Sequence, residues 1–253
     1  MILETIFQFW YIILLFLTVA VLYSSVGFGG GSSYLAVLAL TGIAFYQIRA
    51  TALLCNIMVV SGNVYLFQKQ KIINWRQLLP IVLFSLPFAF LGGYLKINQN
   101  FFFILLGFTL LFAALSMWLS KKIASKQTAK INHKKNAFYG SIIGFISGMV
   151  GIGGGIFLAP LLHLTNWNTP QKIAAAASVF ILVNSTAGLF GQISNPQFSI
   201  NWQLTSVLLI TVFIGGQIGN RLSNQFFTPI QLKKTTSVLI AFVSFKILWE
   251  NLF

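Results

Sequence analysis

The sequence predicts an all-α integral membrane protein, a polytopic helical bundle of two inverted repeats, each a glycine-broken helix hairpin followed by three transmembrane helices. Three observations carry that prediction. Of 253 residues 57% are apolar and 7% charged, with mean hydropathy +0.85, a balance foreign to soluble globular domains. Apolar runs recur along the whole chain, several of them long enough to cross a bilayer. One glycine-rich pattern is written twice, as Gly27-Phe28-Gly29-Gly30-Gly31-Ser32-Ser33 and as Gly151-Ile152-Gly153-Gly154-Gly155-Ile156-Phe157.

The first apolar run, residues 6–24, follows Glu4 with no Lys or Arg before it and no small-residue cleavage site after it. It therefore reads as a mature transmembrane segment and not as a cleaved signal peptide. Residues 33–40, at about 1.5 Å per residue, cover less than half of a roughly 30 Å hydrocarbon core, so they read as a half-helix entering from one face. Two complete crossings forming a tight pair would have the same parity, and that alternative stays open. Runs 48–67, 78–95 and 101–119 are full spans, and a basic linker at 121–135 closes the half. The order then repeats: 138–149, a second half-helix at 156–164, and spans at 173–193, 204–218 and 232–249. The chain divides into a first repeat at 1–120, a linker at 121–136 and a second repeat at 137–253.

The copies align residue against residue. Gly151 lies 124 positions after Gly27, and the Asn74-Trp75 pair recurs 127 positions on as Asn201-Trp202, which a three-residue insertion reconciles. Gly92-Gly93 and Gly215-Gly216 lie 123 apart, which asks for another small indel. Weak, ordered internal similarity of this kind is how many transporters are built.

Loop charge sets the orientation, because cytoplasmic loops accumulate Lys and Arg. If each glycine hairpin returns to its own side, the linker bases, Lys69, Lys71, Arg76, Lys172, Arg221, Lys233 and Lys234 fall inside, and only Arg49, Lys96 and Lys246 fall outside. If the second hairpin crossed once instead, four bases would move out and only Lys246 in. The hairpin arrangement makes the halves inverted copies with both termini outside, in a multi-pass protein. The formal charge of +14 thus belongs to membrane orientation, and nucleic acid is not a partner.

Composition also excludes chemistry. Glu4 and Glu250 are the only acids, so carboxylate pairs and carboxylate metal sites have no raw material. Cys55 has no Cys or His neighbour with metal-ligand spacing. The protein is read as a non-enzyme without metal or cofactor.

The candidate site starts from the broken helices. Backbone released from a helix at membrane depth is tolerated only where protein buries it or where it lines a cavity. Gly27, Gly29, Gly30 and Gly31, with Gly151, Gly153, Gly154 and Gly155, are therefore the first substrate-binding candidates. Ser32 or Ser33 is the expected N-cap of the first half-helix. Such an N-terminus offers free N–H groups and the positive end of a dipole to a small anion, and two inverted copies would aim two ends at one midplane point. The plain alternative is that the glycines serve close helix packing, the reading given to Gly140, Gly144 and Gly148 and to their counterparts Phe16, Ala20 and Ser24. Asn56 and Asn63, seven apart, and Ser178, Ser185 and Gln192, at the same spacing, each mark one helix face, with Asn184 beside the second. They are neutral donors for a passing oxyanion, or interhelical hydrogen bonds that hold the bundle together. Arg49 is placed at the mouth of the pathway, where it attracts anions; the bland alternative is an arginine that snorkels to the interface.

The doubled Gly-x-Gly-Gly-Gly motif, Pro160 after its second copy, Arg49-Ala50-Thr51 and the late Gly-Gly pairs together resemble the sulfite exporter TauE/SafE family over nearly the whole chain. The resemblance implies a permease of a bacterial-type inner (plasma) membrane, moving sulfite, organosulfonates or related sulfur anions outward. Ala36 stands where the second copy has Pro160, so the half-sites need not be equivalent. The expected activity is export of a small sulfur oxyanion by alternating access at a midplane site between the repeats. An anion channel or a non-enzymatic membrane assembly subunit is the alternative. The expected partners are the small anionic substrate and the lipid bilayer, and a homodimer is compatible with the sequence.

Overall fold

The computed structural model describes residues 7–118, 133–165, 167–196, 198–222 and 229–252, and every regular element among them is an α-helix. The helices are α1 (Trp10–Ser25), α2 (Gly31–Ala39), α3 (Phe45–Lys69), α4 (Trp75–Tyr94), α5 (Gln99–Trp118), α6 (His133–Val150), α7 (Gly155–Leu164), α8 (Pro170–Ile193), α9 (Trp202–Leu222) and α10 (Pro229–Leu252). Each covers one apolar run read from the sequence. The linker expectation falls mostly on residues 119–132, outside the described residues.

Local chemistry explains the starts. The repeated Asn-Trp pair is a cap followed by a first helical residue: Asn74 accepts from the Gln77 N–H, and Asn201 accepts from the Leu204 N–H at 3.2 Å. Side-chain acceptors of this type satisfy the donors a helix leaves open at its start. Asn98 does the same for α5 at 2.7 Å, and Pro170 opens α8 at a position where a missing N–H costs nothing.

The packing of one half mirrors that of the other. Helix α4 packs on α6 as α9 packs on α1; α4 meets α8 as α9 meets α3; α2 lies on α3 as α7 lies on α8; and α3–α8 and α5–α10 are self-equivalent pairs. Gly140, Gly144 and Gly148 of α6 run in step along Ile81, Ser85 and Ala89 of α4, so close that a methyl at Gly144 would sit 2.5 Å from the Ser85 carbonyl. That is the packing role expected of them.

The equivalent interface corrects one part of the repeat alignment. Gly92 lies against Phe145 and Met149, and it is Gly219 that lies against Val21 and Ser24. Gly92-Gly93 therefore corresponds to Gly219-Asn220 and not to Gly215-Gly216. The 127-residue offset of the Asn-Trp pairs continues through α9, and no further indel is required. The glycine doublet misled because each interface chooses its small residues independently: packing demands a close approach, not an identical residue.

Polarity is arranged inside out. Leu83, Phe84, Phe108, Phe112, Ile210, Phe213, Phe242 and Phe245 are exposed on the outer helices, while Asn56, Asn63, Ser178, Asn184, Ser185 and Gln192 are all at most 5% exposed. An apolar girdle around a polar interior is what a bilayer selects. Five helices, α3, α4, α5, α8 and α9, have the length and hydropathy of membrane spans, and α3 and α8 are the most enclosed of them.

Candidate site at the two helix breaks

Both breaks are built alike. Helix α1 ends with Gly27 in the left-handed region (φ +81°), and the Phe28 N–H reaches back to the Tyr23 carbonyl at 2.8 Å. Helix α6 ends with Gly151 (φ +89°), and the Ile152 N–H reaches the Ser147 carbonyl at 3.2 Å. This is a six-to-one closure of the Schellman kind. Gly30 (φ +85°) and Gly154 (φ +80°) then start α2 and α7 as their N-caps. The sequence expectation of Ser32 or Ser33 as N-cap is thereby corrected. The chain must reverse within three residues, which requires a left-handed residue at the cap, and glycine adopts that backbone without strain. Ser32 and Ser33 instead lie buried in the first turn, where the Ser33 hydroxyl donates to the Tyr23 hydroxyl at 3.0 Å.

The carbonyls released by the breaks are taken up by the polar stripes. Asn63 Nδ2 donates to the Phe28 carbonyl at 3.2 Å and Asn56 Nδ2 to the Ile152 carbonyl at 2.8 Å, so α3 serves both breaks. From α8, the Ser178 hydroxyl donates to the Gly27 carbonyl. An unpaired carbonyl in a dry interior costs roughly 1–3 kcal/mol, so these side chains have a structural task that spacing alone did not assign.

The breaks converge on Asn56 and Ser185. Gly29 and Gly31 of the first break lie against Asn56, and Gly153 of the second lies against Asn56, Ile181 and Ser185. Gly155 packs on Ile181. Relative to their glycines, Ile181 stands where Asn56 stands and Ser185 where Val60 stands, each 125 residues on. The halves thus contribute their polar residue one helical turn apart. Asn56 Oδ1 and Ser185 Oγ are buried without a hydrogen-bond partner. Helix geometry leaves the first-turn N–H groups of α2 and α7 without intrahelical acceptors beside them.

Other candidates lie elsewhere. Asn63 joins a cluster with Ser24, whose Oγ lies 2.9 Å from Asn63 Oδ1, 2.9 Å from the Gly216 carbonyl and 2.8 Å from Asn220 Oδ1. This cluster occupies the place that Gly148, Gly188, Ala89 and Gly93 fill by close packing in the other half. Asn184 faces α4, donating to Ser85 Oγ at 3.0 Å and to the Phe180 carbonyl at 2.8 Å.

Arg49 is not at a lipid interface. It is 4% exposed, with Nη2 donating to the Gly148 carbonyl at 3.2 Å and its guanidinium 5.9 Å from the centre of the Phe102 ring. Its Nε has no partner. Glu250, the one acid among the described residues, pairs with Lys246 at 3.7 Å. Sequence reasoning missed Ser24 and Asn220, whose signal was their register with Gly148 and Gly93. It also passed over Gln192 as a site residue, although the seven-residue spacing had marked it. No group of three or more His, Cys, Asp or Glu among the described residues could hold a metal ion.

The chain matches the family described as Sulfite exporter TauE/SafE over residues 12–247. It is similar to the probable membrane transporter protein y4hK of Sinorhizobium fredii, with 33% identity over 92% of this chain and 96% of that protein. Two Bacillus subtilis proteins are also similar: the probable membrane transporter protein YjnA, at 26% identity over 91% and 96% of the two chains, and YunE, so described as well, at 24% over 80% and 81%. No solved structure matches the chain.

Proposed function

The chain belongs to the sulfite exporter TauE/SafE family of membrane transporters, and from that premise we propose that it exports small sulfur-containing oxyanions, sulfite first, through the point where the two glycine breaks meet. The observation that carries the reading is the buried, unpartnered Ser185 hydroxyl and Asn56 carbonyl at that point. A donor and an acceptor held without partners in a dry interior are costly, and a polar ligand passing between the halves would complete them.

The packing supports alternating access as the mechanism. Ends of equivalent helices meet in opposite sense: Phe67, late in α3, and Ala174, early in α8, both lie against Gly27, whereas Arg49, early in α3, and Gln192, late in α8, line one pocket. That crossing supports inverted repeats, the form in which one half rocks on the other around a fixed site. The uncharged loop 194–201 then lies outside with Arg49 and Lys96, and the proposed place is the inner membrane with both termini outside.

The test is sulfite flux into proteoliposomes. Gly30→Leu and Gly154→Leu probe the breaks, and Ser185→Ala is the sharper variant because its hydroxyl holds no structural bond. Wild type should give saturable flux, and Ser185→Ala should keep its thermal stability and lose flux at least tenfold. Unchanged flux in Ser185→Ala removes the midplane site, non-saturating flux replaces the transporter with a channel, and no flux in folded wild type removes sulfite.

A further inference from the structure

A pocket opens between the start of α3, the end of α4 and the end of α8, lined among others by Tyr46, Arg49, Lys96, Gln192, Asn195 and Phe198. Two of its polar side chains are nearly inaccessible and incompletely bonded: Arg49 is 4% exposed with Nε unpartnered, and Gln192 is 5% exposed with Nε2 unpartnered. Lys96 is exposed at the rim. Every one of these groups is a donor, and two of the three carry positive charge. Burying a cation without a counter-charge costs several kcal/mol, and the one neutral bond from Arg49 to the Gly148 carbonyl does not supply that counter-charge. A bound anion would.

We infer that this pocket is a binding site for a small oxyanion, with Arg49 supplying charge, Gln192 an amide donor and Lys96 attraction at the entrance. The inference deepens the transport reading and rests on it for the pocket's place in the cycle: it is where the anion is held on the outer side before release. Its cavity volume of about 20 Å³ exceeds the roughly 10–15 Å³ a single water needs, so there is room for a small polar group beside Arg49 and Gln192. Arg49 also adjoins the second break: Gly151 lies against its backbone and Cβ, and its guanidinium bonds the Gly148 carbonyl in the last turn of α6. Binding here therefore bears directly on the segment proposed to move. Among the described residues the opposite half puts Ala174 against Gly27 in the place of Arg49.

The test is equilibrium titration of the purified full-length protein in detergent with sodium sulfite, against sodium chloride at matched ionic strength, read by calorimetry and by thermal shift. Wild type should bind sulfite selectively. Gln192→Leu, which removes no existing hydrogen bond of Nε2, should weaken binding about tenfold at unchanged melting temperature; Arg49→Gln should abolish the binding that Ser185→Ala leaves in place; Lys96→Gln should weaken it two- to threefold and flatten its salt dependence. Wild type that transports sulfite without binding it selectively, or whose binding survives Gln192→Leu, overturns the pocket and leaves the transport reading standing. Selective binding lost in both Gln192→Leu and Arg49→Gln, in wild type that gives no flux, upholds the pocket and overturns the transport reading. Should Arg49→Gln fail to fold, Gln192→Leu alone decides.

Discussion

Replacing Gly154 by Ala tests the construction of the break itself. Two costs add at this position. The φ of +80° is strained for any residue with a Cβ, at about 1–2 kcal/mol. The new methyl would sit 2.7 Å from Phe180 Cε1 and 3.1 Å from Ser147 Cβ, and Phe180 is fully buried, so relieving the overlap adds about 1–3 kcal/mol. Gly42 is the built-in control: its φ is +70° and nothing lies within 4 Å of an added methyl, so Gly42→Ala bears the strain alone. Central values of about 3.5 and about 1.5 kcal/mol, at about 2–4 °C per kcal/mol for a chain of this size, put Gly154→Ala about 7–14 °C below wild type and Gly42→Ala about 3–6 °C below. The measurement is loss of the monodisperse peak after graded heating in detergent. Equal losses in the two variants would refute the packing of the α7 start against Phe180, and no loss in either would refute the left-handed backbone.

Three further outcomes follow from the same geometry. Asn63→Leu strips the Phe28 carbonyl of its amide donor and Ser24 of one of its partners, and should destabilise by about 2–3 kcal/mol, read as a fall in melting temperature that Ser185→Ala does not share. Gly148→Val drives a side chain into the Ala89 backbone, where a methyl alone would overlap the carbonyl oxygen and lie 2.9 Å from the carbonyl carbon; because backbone cannot step aside, monodisperse protein should not be recovered, whereas a normal yield would discredit the α4–α6 contact. A cysteine at Ser199 should react with an impermeant maleimide from outside intact cells and one at Gln70 only after permeabilisation, with buried Cys55 silent in both; the reverse pattern would sink the proposed orientation.

What the sequence made legible was periodic or repeated. Each apolar run became a helix among the described residues because hydropathy reports removal from water, into lipid or into protein, directly, and the Asn-Trp pairs recur because a cap needs an acceptor side chain at one fixed place. What stayed hidden depended on three-dimensional neighbours. Nothing in the run Gly31-Ser32-Ser33 says that Gly30, and not a serine, caps α2; that follows from the tight reversal after Gly27. Arg49 was placed at the mouth by its position near a span's end, yet its burial arises from Phe102 and Gly148, distant in sequence. The function of Asn56 as partner of the Ile152 carbonyl required knowing that the two breaks touch.

A symmetric scaffold with asymmetric lining has a kinetic consequence. Exact exchange of the halves would give both membrane faces the same chemistry, but Arg49 is matched by Ala174, Asn56 by Ile181 and Val60 by Ser185. On the proposed alternating-access cycle, an anion should therefore be held more tightly when the site opens toward Arg49 than when it opens toward Ala174. A ligand shifts a two-state equilibrium only by its differential affinity for the two states. That difference cannot drive net transport without a gradient, so for uncoupled flux kcat/KM must be equal in the two directions even where KM is not. Flux measured from either side of oriented proteoliposomes should show the lower KM, with a proportionally lower kcat, on the Arg49 face, and Arg49→Gln should collapse the difference. Equal KM values on both faces of wild type would mean that the arginine is not met by the anion during transport, and its buried charge would then need another explanation.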